Sequence, residues 1–86
     1  MKKMKKKKVT PRAATGVDAY IGSRMRERRN ELGLSQMALG EQLGVSFQQV
    51  QKYESGVNRV RAARLFEICS ALKVSLASMF ERDPAA

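Results

Sequence analysis

Apolar residues recur along this chain at intervals of three, four and seven and never in strict alternation, a pattern that predicts short helices and no strands. Ile21, Met25 and Leu32 share one face of a first helix, expected to run from about Asp18, a fair N-cap, to Leu32 and to stop at Gly33. That placement leaves Arg24 and Arg26 outside. A second helix follows Ser35, turns Leu39 and Leu43 inward and stops at Gly44. The "GLS" between the two is long enough only for a tight corner. Ser46 opens a third helix, with Gln49 at the Ser-x-x-Gln spacing of a capping box, and Gly56 closes it. After the basic loop "VNRVR", a fourth helix over roughly 61–72 is expected to bury Ala62, Leu65, Phe66, Cys69 and Leu72. A last turn within "SLASMFE" is capped by Ser75 and carries Leu76, Met79 and Phe80.

The third helix holds the most unusual stretch, "FQQVQKYES". At about 100° per residue, Val50 and Tyr53 point inward, while Gln48, Lys52 and Ser55 point away with Gln51 beside them. Phe47 lies at the edge between the two faces. Glutamine packs poorly in a core and does not catalyse, but its amide donates and accepts hydrogen bonds at once. The outward amides therefore form either a solvated face or a reading surface.

Composition narrows the choice. The chain has 86 residues, enough for one small domain with one modest core. Its net charge is +9, from 17 Lys and Arg against 8 Asp and Glu, which suits an acidic partner, either nucleic acid or an anionic membrane. Most of that charge is local, because six lysines and Arg12 put +7 into residues 1–12 and leave +2 for the rest. A nucleic-acid reading of the folded part must therefore rest on pattern. With no His and a single Cys, a zinc site or an intrachain disulfide is excluded, and Cys69 reads as a small buried hydrophobe. Paired carboxylates and phosphate-cradling glycine loops are absent too, so no enzyme and no cofactor is expected. No apolar run approaches membrane-spanning length and no secretory leader is visible, so a cytoplasmic protein is expected.

The second and third helices carry a helix-turn-helix set: Leu39, a small residue at Gly40, Leu43, Gly44 in the turn, Val45, then Val50 and Tyr53. With "IGSRMRERRNELGLSQMALGEQLGVSFQQVQKYESG" and "LFEICSALKVSLASMF", the chain resembles the phage-repressor helix-turn-helix family, the lambda and Cro repressor class. The resemblance covers about residues 18–80. It implies an all-α, compact five-helix lambda-repressor-like DNA-binding domain whose third helix enters the DNA major groove. By position, Phe47, Gln48 and Lys52 correspond to base-facing residues, with Gln51 nearby. A glutamine amide can pair with adenine N6 and N7, and a lysine can donate to guanine O6 and N7. Phe47 departs from the usual polar residue, and either touches a thymine methyl or packs at the rim. Ser35, Gln36 and Ser46 at the two helix starts, and Asn58, Arg59 and Arg61 after the third helix, fall where backbone phosphates would be held. Glu54 lies near the inner side of the third helix, where a lone carboxylate is costly. The resemblance pairs it with Arg29 as a structural ion pair, although angular placement alone also permits Arg28. Gly40 stands where alanine is usual and weakens the second helix by about 1 kcal/mol.

The domain plan is a disordered Lys-rich arm over residues 1–16, the helix-turn-helix domain over 17–82 and a short tail over 83–86. The arm either follows phosphates or serves as a solubilising tail. The expected function is sequence-specific transcriptional regulation, as a repressor that reads a palindromic operator. One short helix reads few bases, so a homodimer on double-stranded DNA is expected, with Leu76, Met79 and Phe80 as the candidate dimer surface. No membrane contact and no small-molecule effector are expected. The alternative is an antitoxin that binds its own promoter and a toxin partner. A pure protein-interaction module is disfavoured by the outward amides and the basic loop.

Overall fold

The computed structural model describes residues 16–81. Among these the chain is all-helical: α1 (Gly16–Glu31), α2 (Gln36–Leu43), α3 (Phe47–Ser55), α4 (Ala62–Leu72) and a closing 3-10 turn (Ala77–Phe80). Fourfold spacing of apolar residues supplies the core, which gathers Met25 from α1, Leu39 and Leu43 from α2, Val50 from α3, Leu65, Ile68, Cys69 and Leu72 from α4, and Met79 from the last turn. The expected arm and tail lie outside the described residues, except that Gly16 forms the first residue of α1.

The helix ends follow local chemistry. Ser35 and Ser46 are extended N-caps whose hydroxyls accept the backbone N–H of Ala38 at 2.9 Å and of Gln49 at 3.2 Å. Only half of the capping box forms, since no bond from the Gln49 side chain to Ser46 is present among the described residues. Gly44 and Gly56 take left-handed conformations (φ +75° and +81°), which residues with a Cβ rarely adopt, and so end α2 and α3. Lys73 ends α4 in the same conformation (φ +58°) without being a glycine. Ser75 caps the final turn by accepting the Ser78 N–H at 3.2 Å.

Several expectations need correction. Asp18 falls inside the first turn of α1, not ahead of it, because α1 starts at Gly16. On α4, Ile68 is fully buried while Phe66 is 69% exposed and Ala62 lies at the surface. Leu65 and Leu72 anchor the α4 stripe, and α4 meets α1 and α2 along the Ile68 edge of it, not the Phe66 edge. Tyr53 is half-buried, and Arg24 is not outside: its Nη2 donates to the Ser78 carbonyl at 2.9 Å. Met79 is 1% exposed and belongs to the core, which leaves only Leu76 and Phe80 of the expected dimer surface exposed. Cys69 is buried, and burial pushes its thiol pKa up, consistent with a packing role.

Candidate nucleic-acid interface

The inner side of α3 fixes the helix through three kinds of contact. Val50 is fully buried in the core, on a helix packed against α1 and α2. Next, α1 crosses the end of α3 at Gly22, where an added Cβ would lie 2.4 Å from the Tyr53 carbonyl and 2.5 Å from that of Glu54. Finally, a buried ion pair forms: Arg29 Nε donates to Glu54 Oε2 at 2.6 Å and Nη2 to Oε1 at 3.1 Å. The two-point geometry satisfies both carboxylate oxygens, which offsets the cost of burying the charge. Arg29 Nη1 also donates to the Leu34 carbonyl at 2.7 Å, and Gln36 Nε2 to Glu54 Oε1 at 3.1 Å. One carboxylate thus joins α1, the corner after it, α2 and α3. Arg28, the other candidate partner, instead donates to the Leu72 carbonyl at 2.9 Å and pairs with Glu31.

The turn between α2 and α3 closes tightly over Gly40. The Val45 N–H donates to the Gly40 carbonyl at 2.9 Å, and a Cβ on Gly40 would lie 2.6 Å from the Val45 carbonyl. The glycine that weakens α2 therefore also permits this close approach.

On the outer side, Gln48, Gln51 and Lys52 are exposed, and their side chains make no hydrogen bond to other described residues. Phe47 is 38% exposed at the start of the helix. Ser35 and Ser46 are exposed at the N-termini of α2 and α3; each uses an oxygen lone pair as a cap and retains its O–H as a donor. Gln36 is half-buried, committed on one side to Glu54.

Asn58 is half-buried in the loop after α3, where its N–H donates to the Lys52 carbonyl at 3.2 Å. Arg59 is exposed but lies 3.6 Å from Asp18, so part of its charge is already countered. Arg61 is exposed at the N-cap of α4, and its side chain makes no capping hydrogen bond to that helix. Tyr53, Arg59, Arg61, Ala63, Arg64 and Glu67 line a shallow polar concavity beside α3. The outward side chains of α3 and this concavity flank the same helix, with Arg29 and Glu54 on its inner side. Among the described residues no His, Cys, Asp or Glu cluster could hold a metal, and no helix is long and apolar enough to cross a membrane.

Two features that hold this surface were not anticipated. Gly22 sits inside a helix, where glycine costs about 1 kcal/mol relative to alanine, a cost that by itself asks for a packing reason. Arg24, Arg28 and Arg64 each pair with a glutamate three residues on and each also donates to a main-chain carbonyl, of Ser78, Leu72 and Leu43. The recurring Arg-x-x-Glu spacing was their visible signal.

Comparison with known proteins agrees with this geometry. The chain is 56% identical over 72 residues to an uncharacterised HTH-type transcriptional regulator of Sinorhizobium fredii, covering 84% of this chain and 50% of the relative. It spans about half the length of the curated relatives it matches. Among solved structures it resembles the clp gene regulator ClgR of Corynebacterium glutamicum (TM-score 0.73, 26% identity, 77% of this chain and 86% of that one). It also resembles the P22 c2 repressor solved in complex with a synthetic operator (TM-score 0.66, 30% identity, 73% and 96%). Because residues 25–79 match the helix-turn-helix family model, and the geometry agrees along the same stretch, the chain belongs to the helix-turn-helix family.

Proposed function

We propose that this domain is a sequence-specific DNA-binding transcriptional regulator, a repressor that lays α3 in the major groove of a palindromic operator and binds there as a homodimer. The observation that carries the reading is the division of α3. Val50, Glu54 and the Gly22 crossing hold its back, while Gln48, Gln51 and Lys52 are exposed and their side chains make no hydrogen bond among the described residues. Exposed amides without a partner among the described residues suit base edges, which offer complementary donors and acceptors in the major groove. Phe47 at the rim suits a thymine methyl. Ser35, Gln36 and Ser46 on one side and Asn58, Arg59 and Arg61 on the other supply donors to the flanking phosphates. The P22 c2 repressor, whose structure was determined with an operator, lends support from a chain of similar fold.

Selection from random duplex DNA with the purified full-length chain, at moderate salt, tests this. An enriched palindrome with half-sites about 10 base pairs apart is the expected result. Retention without enrichment would remove the sequence-reading part. No retention would overturn the proposal and turn attention to a protein partner.

A further inference from the structure

The described arginines divide sharply by what they touch. Arg24, Arg28 and Arg64 each hold a glutamate and a main-chain carbonyl, Arg29 holds Glu54 and the Leu34 carbonyl, and Arg59 faces Asp18. Among the described residues Arg26 and Arg61 have no carboxylate or carbonyl partner, and of the described lysines neither Lys52 nor Lys73 has one. Lys73 has an internal explanation, since it ends α4 and its charge lies beside the carbonyl end of that helix. Lys52 and Arg61 belong to the proposed DNA surface. Arg26 alone lacks an account, and it is exposed on α1 with Asn30 one turn further along the same flank.

Helix geometry places that flank. On α1, Gly22 and Arg29 mark the line that meets α3, and Arg24 and Arg28 mark the line that meets the end of α4 and the last turn. At about 100° per residue, Arg26 and Asn30 fall beyond the Gly22–Arg29 line, on the side away from α4. On α3, Tyr53 borders the concavity shared with Arg61 and α4, whereas Gln51 lies on the opposite flank, past Glu54. The α1 flank that carries Arg26 and Asn30 and the α3 flank that carries Gln51 thus both lie away from α4, and the corner towards Ser35 begins at Asn30, whose carbonyl accepts the Gly33 N–H at 3.0 Å.

We infer that Arg26 and Asn30 form a further phosphate-binding edge of the interface, gripping the DNA backbone on the wall opposite Arg61. The inference rests on the DNA-binding reading above. A guanidinium donates charge-assisted hydrogen bonds to phosphate oxygens and an amide adds a neutral one, so the pair supplies affinity and register but no sequence preference.

The test measures binding of the full-length chain to its selected duplex and to a shuffled duplex of equal length, between 50 and 200 mM salt. Arg26→Gln is expected to weaken both duplexes alike and to reduce the slope of log affinity against log salt by about 0.9, one phosphate contact. The affinity loss should then be about threefold smaller at 200 mM than at 50 mM salt. Arg26→Lys should restore most of the slope, and Lys73→Gln should leave it unchanged. Thermal unfolding of Arg26→Gln should match the parent, since the side chain is exposed. An unchanged slope for Arg26→Gln beside a reduced one for Arg61→Gln would overturn this inference and leave the DNA reading standing. If Lys52→Ala and Arg61→Gln also changed nothing, or neither duplex were retained, the DNA reading itself would fall.

Discussion

The two sides of α3 are held in different ways, and the difference separates what folds this domain from what it can recognise. Inward, Val50 has no exposure, the Glu54 carboxylate accepts from both Arg29 and Gln36, and Gly22 brings the α1 backbone against the last turn of the helix. Each of these contacts has a fixed partner at a fixed distance. Outward, Gln48, Gln51 and Lys52 have none among the described residues. A substitution on the inner side should therefore lower stability and recognition together, whereas one on the outer side should change recognition and leave the fold intact. The prediction with the largest expected effect is Arg29→Ala. It strands Glu54 in a buried site and removes the donor to Leu34, at a cost of about 3–5 kcal/mol. That is comparable to the whole stability of a domain this size, about 5 kcal/mol. Chemical denaturation should show a chain that is largely unfolded or barely folded. A stable Arg29→Ala domain would mean that the pair is not what holds α3.

Gly22→Ala probes the same side through the backbone. Alanine should strengthen α1 by about 1 kcal/mol as an isolated helix. Here its methyl would meet two main-chain carbonyls well inside contact distance, and main chain yields less readily than a flexible side chain. Overpacking of this kind costs about 1–3 kcal/mol, so a net loss of stability is expected. Binding should weaken as well, because α3 must move to make room. A raised melting temperature with unchanged binding would show that α1 and α3 slide apart freely, which would blur the contrast between the two sides.

Much of this contrast can be read in the sequence, and the reasons are specific. The glycines at 33, 44 and 56 stand at positive φ and end α1, α2 and α3 close to where their positions suggest, because few other residues adopt that conformation. The two serine caps are visible for a similar reason: a hydroxyl before a helical run has one common use. The inner line of α1 is much harder to see. It consists of Ile21, Gly22, Met25 and Arg29, and two of these are not apolar, so periodicity alone cannot reveal it. On α4 the apolar stripe is wide enough to include both Ile68 and Phe66, and which edge is buried depends on helices distant in sequence. The stop at Lys73 carries no sequence signal, since a left-handed lysine looks like any other. As for the interface, the outward position of Gln48, Gln51 and Lys52 follows from angles along one helix. The tie between Arg59 and Asp18 joins residues far apart in the chain and becomes visible only in the fold.

Gln48→Ala tests the outer side. The melting temperature should hold, because the side chain is exposed and unbonded. Affinity for the selected duplex should fall by about 1–3 kcal/mol, with preference relaxed at one base pair, while the shuffled duplex is little affected. Equal losses on both duplexes would reassign Gln48 to the phosphates. No loss on either would mean that another residue of α3 reads that base.

Ser46 stands where the two sides meet, so it can split them with a smaller effect. Its hydroxyl accepts the Gln49 N–H to cap α3, and its O–H remains available to a phosphate. Ser46→Ala removes both roles and should cost about 1 kcal/mol of stability along with some affinity for every duplex. Ser46→Asp removes only the second role. An aspartate caps a helix as well as a serine does, and its charge suits the positive end of the helix dipole, so stability should match the parent or exceed it slightly. The same charge beside a DNA phosphate should weaken binding to both duplexes, more at low salt than at high salt. Unfolding curves and binding isotherms on the same preparation would therefore move in opposite directions. If the aspartate variant bound as tightly as the parent, the N-terminus of α3 would not approach the backbone, and the phosphate wall would begin at Ser35 and Gln36.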